Sequence, residues 1–186
     1  GNGMGIALNN ASDNTVESNR VAGSRLQGIY LGSQSTGNTV RNNGVTESTL
    51  EGIFISGPKN TIDGNTVSEG LDIGIRLTSG AAGNGLLRNR VTLNQKSGME
   101  LDNADGNRVN DNPDISGNKE HGISVGQFGV NNLLERNGVT GNTKLGIWVA
   151  GANNTVRSSR IADNREAGIA LATTAQQNRL EGNLLE

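Results

Sequence analysis

Gly28-Ile29-Tyr30-Leu31, followed by Asn38-Thr39-Val40-Arg41-Asn42-Asn43, decides how this chain folds. The first element alternates aliphatic and variable residues, the period-2 pattern of a half-buried strand. The second repeats that alternation between asparagines, which bond to nearby backbone and tolerate left-handed turns. Neither element carries the i, i+3, i+4 spacing of a helix.

The stretch recurs along the whole chain. Gly-aliphatic-x-aliphatic is found at Gly5-Ile6-Ala7-Leu8, Gly52-Ile53-Phe54-Ile55, Gly74-Ile75-Arg76-Leu77 and Gly98-Met99-Glu100-Leu101. It continues at Gly122-Ile123-Ser124-Val125, Gly146-Ile147-Trp148-Val149 and Gly168-Ile169-Ala170-Leu171. By subtraction of these positions, the glycines fall 22 to 24 residues apart. Each is followed by Asn-x-aliphatic-x-x-Asn, as in Asn14/Val16/Asn19 and Asn84/Leu86/Asn89, with Ser159 in place of the second Asn once. A third aliphatic stands two residues further on, for example Val21, Val45 and Val67. The fifth unit departs from this, placing Ile115 one step late after Pro113.

Each unit therefore contains three short strands separated by Gly, Asn and Ser turns. So short a unit cannot bury its own apolar face, and stacking on its neighbours supplies the core. The expected fold class is all-β: a single-stranded right-handed parallel β-helix of about eight coils of 22–24 residues, three short strands per coil. The preference for right-handed parallel crossovers supports that hand. Residues 1–186 form one such domain. The chain opens in mid-pattern at Gly1-Asn2-Gly3-Met4-Gly5, so its true start is expected upstream. The asparagines are expected to form coil-to-coil ladders.

Composition narrows the function. The net charge of −2 gives no footprint for nucleic acid. There is no apolar run of about 18 residues, so no segment is expected to insert in a membrane. With no cysteine, disulfides and thiolate metal sites are excluded. That absence fits a bacterial secreted, periplasmic or cell-surface protein.

These repeats resemble the right-handed β-helix repeats of polysaccharide lyases, mannuronan C5-epimerases and NosD-like periplasmic proteins. The resemblance spans essentially the whole chain. It is specific for fold and poor for activity. The alginate epimerases it resembles carry an Asp-Pro-His motif, for which Asn112-Pro113-Asp114 is no substitute. The calcium-binding nonapeptide of secreted toxins and epimerase tails is also missing. No cofactor and no metal site are expected; calcium is the one ion the resemblance brings to mind, and no motif supports it.

Chemistry is expected on the outward position of the Gly-aliphatic-x-aliphatic strand. Read up the stack it runs Ala7, Tyr30, Phe54, Arg76, Glu100, Ser124, Trp148, Ala170. Three of the four aromatics lie on this one ladder. Tyr30, Phe54 and Trp148 are candidate platforms for sugar rings, with Lys96 and Lys144 flanking as substrate-binding cations. Arg76 suits a uronate carboxylate. Glu100 and Asp102 stand about 6.7 Å apart on one strand face, and His121 enters the next coil. A uronate lyase or epimerase needs a cation, a base and an acid. Arg76, Glu100, Asp102 and His121 are the candidates. The competing reading makes Tyr30 and Phe54 a packing pair and Arg76 and Glu100 a surface ion pair. The leading expectation is a carbohydrate-active β-helix that binds or processes an acidic polysaccharide along this face. The alternatives are a structural or adhesive solenoid of a surface protein or phage spike, and a NosD-like periplasmic role. The last is weakened by a single His and two Met. Uncapped strand edges invite end-to-end self-association.

Overall fold

The structure, a computed structural model, describes residues 1–186. Twenty-four strands, each of three residues except the two-residue Leu184–Leu185, wind through eight coils without a helix. They form three parallel eight-stranded sheets. The first sheet runs from Ile6–Leu8 to Ile169–Leu171, one strand per coil in chain order. The second runs from Thr15–Glu17 to Arg179–Glu181, and the third from Arg20–Ala22 to Leu184–Leu185. Register is strict: Ile29 pairs with Ile53, Tyr30 with Phe54 and Leu31 with Ile55. The extra residue at Pro113 is absorbed within its corner, because Ile115 still pairs with Val91 and Val139.

Four inward positions per coil, joined by Ala81 and Ala104 from the turns, build one continuous core of 28 buried residues. The glycine that opens the first-sheet strand of coils one to seven is required by space rather than by φ. A Cβ at Gly74 would lie 2.3 Å from Val91 Cγ1 and 2.7 Å from the Gly98 carbonyl oxygen. The third-sheet valine fills the place where that side chain would go. The motif Gly-aliphatic-x-aliphatic thus records a corner where two sheets touch.

Asparagines hold the other corners. Asn38 donates both its backbone N–H and its Nδ2 to Asn60 Oδ1, at 2.9 and 3.0 Å. The same Nδ2 donates back to the Ala11 carbonyl of the preceding coil at 2.8 Å. Buried amides left without partners would cost about 1–3 kcal/mol each. Two expected ladders are present, from Asn14 to Asn178 and from Asn19 to Asn183. The structure adds a third, Asn94–Asn118–Asn142–Asn164. The residue before each ladder position takes a left-handed φ, as at Asn42 (55°), Leu93 (59°) and Gly141 (63°).

Candidate functional site: the outward face of the first sheet

Strand alternation makes the first sheet's outer face a flat surface of three rows. The middle row carries the Tyr30 to Trp148 series. The rows beside it carry the residues three positions before and two after, among them Gln27, Glu51 and His121 on one side and Asp102 on the other. The face has no cavity. The two cavities in the molecule, each of about 300 Å³, open at the two ends of the stack beside Ile6 and Ile169.

Two ring stacks occupy the face. Tyr30 and Phe54 lie parallel, centroids 5.5 Å apart at 4°. Trp148 stacks on His121 at 5.8 Å and 18°. Trp148 has room to lean because its neighbours in register are small, Ser124 and Ala170. All four rings are half-buried. The stacks sit on coils two and three and on coils six and seven. At 4.8 Å per strand the face between their outer members is about 24 Å long.

Arg76 stands between the stacks, held by three carboxylates. Its Nη2 donates to Asp102 Oδ2 at 3.0 Å, and its Nη1 to Glu51 Oε1 at 3.4 Å. Its Nε lies 3.2 Å from Glu100 Oε1, close enough for charge attraction but not aligned as a hydrogen bond. Glu51 is the innermost of the three, its side chain 8% exposed, and it accepts a second bond from Gln27 Nε2 at 3.1 Å. Burial acts to lower the Arg76 pKa, but Asp102, Glu100 and Glu51 together outweigh it and the net shift is upward. Burial also raises the Glu100 pKa, against the pull of Arg76.

Lys96 and Lys144 lie at the edge where the third sheet turns into the first. Each is paired with an acid one coil earlier: Lys96 with Asp72 at 3.0 Å and Lys144 with Glu120 at 3.0 Å. The bond to Asp72 raises the Lys96 pKa. His121 has a buried Nδ1 without a hydrogen-bond partner. Its burial, and then Lys144, lower its pKa, while Glu120 and Glu166 oppose them. The imidazole is therefore held neutral beside Trp148 near pH 7.

The structure thus brings Arg76, Glu100 and Asp102 into one cluster and places His121 with Trp148 in another. Glu51 belongs to the cluster and was not among the expected residues. Its signal was its place in an outward row, one coil before Arg76. Phe128, the fourth aromatic, is 64% exposed in the turn after Val125, on the same coil as His121. No group of three or more His, Asp or Glu is arranged to hold a metal ion. A guanidinium occupies the middle of the carboxylates.

Three sheets, a single-strand winding and ladders at the corners define a class. The chain belongs to the family described as the right handed beta helix region, whose model matches residues 4–152 and 112–186. A comparison with curated protein sequences finds no match. Among solved structures, the chain is similar to the periplasmic alginate epimerase AlgG, with a TM-score of 0.83 at 19% identity over 97% of this chain and 47% of that one. It is also similar to the A-module of the Azotobacter vinelandii mannuronan C-5 epimerase AlgE4, with a TM-score of 0.66 at 14% identity over 94% of this chain and 62% of that one. The chain spans about half the length of the AlgG structure. At these identities the likeness is one of fold.

Proposed function

We propose that this chain is a carbohydrate-binding β-helix and that a polysaccharide lies along the outward face of its first sheet, parallel to the stack axis. One observation carries the reading: two ring stacks, Tyr30/Phe54 and His121/Trp148, end a flat face about 24 Å long. Aromatic rings present apolar surface to the apolar faces of sugars, and a flat face without a cavity suits a polymer rather than a small ligand. The solved structures of similar fold include one protein named as a periplasmic alginate epimerase and one named as a mannuronan C-5 epimerase. That supports the sugar reading and a periplasmic, secreted or cell-surface location.

The finer reading is an acidic polysaccharide, processed in the manner of a uronan lyase or epimerase. Arg76 supports it as the only Arg or Lys within the three outward rows. Glu100 supports it as a carboxyl kept protonated to higher pH than usual by burial, which suits a proton donor. The test is direct. Alginate, pectate and a neutral β-glucan are titrated into wild type and variants by calorimetry, Trp148 fluorescence is followed in parallel wherever that single Trp is present, and unsaturated product is read by absorbance. Binding is expected to shift the emission, and Trp148→Ala and Tyr30→Ala are each expected to weaken affinity with little change in melting. A wild-type protein that responds to none of the three polymers would overturn the proposal. Loss of stability without loss of affinity would favour the scaffold reading instead.

A further inference from the structure

The three carboxylates around Arg76 are not equivalent. Glu51 is 8% exposed and anchored by Gln27, whereas Asp102 is 48% exposed and accepts from no group but Arg76. Glu100, at 23%, lies between these extremes and faces Nε without a well-directed bond. One side of the guanidinium is therefore fixed and the other is free to exchange.

We infer that Asp102 is a tethered stand-in for a ligand carboxylate and gates the binding of acidic glycans, while Glu51 is the positioning residue that keeps Arg76 in place during the exchange. The inference rests on the glycan-binding reading and names its regulation. An incoming uronate takes the Nη2 position that Asp102 now fills. Trading one carboxylate for another at the same donor changes little in itself. The displaced Asp102 stays close by and repels the newcomer. Acidic glycans thus bind only when the ring stacks supply the balance. Neutral glycans use the rings alone and are indifferent to Asp102. A site designed for an anion with no such competitor would leave its cation open; this one keeps it covered until a polymer arrives.

The experiment compares Asp102→Asn with the wild type. The replacement is nearly isosteric at an exposed position, and circular dichroism and the melting temperature verify the fold. Affinity for alginate oligosaccharides and pectate is expected to rise about twofold to fivefold, the range an exposed ion pair can supply. Affinity for a neutral β-glucan is expected to stay constant. Asp102→Glu restores the competing carboxylate and should return affinity to the wild-type level. Adding Glu51→Gln to Asp102→Asn releases the guanidinium from its anchor and should cancel the gain. Equal polyuronate affinity in wild type and Asp102→Asn overturns the gate. So does an equal gain for the neutral glucan, which would mark a general loosening of the face. If wild type and variant both bind no glycan at all, the proposed function falls and the gate falls with it.

Discussion

At the scale of the residue, Glu100 shows how a stacked sheet handles a charge. Its backbone register places it directly beside Arg76 and Ser124. Ser124 is buried and offers the carboxylate no charge, and burial raises the Glu100 pKa despite Arg76. A raised folded-state pKa means that the protonated form is favoured by folding. That contribution is present below the ordinary glutamate pKa of about 4.3 and is lost as pH rises through the folded value. Glu100→Gln makes the neutral state permanent, and Arg76 keeps Glu51 and Asp102 as partners. The variant is expected to melt above the wild type at pH 7, and the difference is expected to close as pH falls toward 4. Melting curves at both pH values check this; a lower melting point at pH 7 would show that the Arg76 attraction dominates. Sequence alone reached Arg76, Glu100 and Asp102, because alternation tells which side chains point outward. It missed Glu51, because alternation does not tell how far an arginine reaches across coils. The bond from Arg76 to Glu51 spans 25 residues and depends on a side-chain conformation.

At the scale of the element, the ladders decide which coils are well tied. Two of them were legible because their asparagines bracket an aliphatic in every unit. The third has the same spacing in Asn94, Asn118, Asn142 and Asn164, but earlier coils carry Ser24, Ser48 and Gly70 at that corner, which hides the series. The interruption has a physical consequence. Gly70 N–H reaches Asn94 Oδ1 at 3.1 Å but brings no side-chain amide of its own, and the buried Ser48 Oγ has no partner. Coils two to four are therefore tied at two corners and later coils at three. Gly70→Asn extends the ladder toward Ser48 at a position without a left-handed φ. Its Cβ would sit 3.2 Å from Asn94 Oδ1, so that oxygen must give by a few tenths of an ångström. One net hydrogen bond is worth about 1 kcal/mol, and replacing glycine stiffens the unfolded chain in addition. The variant is expected to raise the urea midpoint by a corresponding amount, while Asn118→Ala, which opens a complete ladder, is expected to lower it. A Gly70→Asn protein less stable than the wild type would mean that the corner cannot seat the amide.

At the scale of the whole molecule, stability is a property of phase. Every asparagine-to-asparagine bond of the ladders and nearly every ion pair joins residues one coil apart, such as Asn38 with Asn60, Arg136 with Asp111 and Arg157 with Glu135. Contacts between adjacent coils dominate, so the stack behaves as a one-dimensional array whose units add nearest-neighbour terms. The inward rows are nearly uniform from coil to coil, which is why the fold could be read from so little sequence. The outward row of the first sheet is not, and there the sequence indicated a surface without indicating its pairings. Uniform inward rows imply that a coil can be removed if the phase is kept. Residues 118–141 make up one turn of 24 residues, and both flanking corners have the same form: Gly117 before Asn118 and Gly141 before Asn142, each glycine with a positive φ. Deleting them joins Gly117 to Asn142, so that Asn94 meets Asn142 in the ladder and Met99 meets Ile147 in the first sheet. The shortened chain is expected to fold with parallel-sheet circular dichroism and one cooperative unfolding transition. It loses His121, so the Trp148 stack changes while the Arg76 cluster keeps its partners from coils three to five. Deleting 118–129 instead removes half a turn, brings turn residues against strands and sets ladder amides against aliphatics. That protein is expected to fail to fold, because each misplaced amide is left buried without a partner. Equal stability of the two deletions would show that packing in this stack does not depend on register, contrary to the strict pairing of all eight coils.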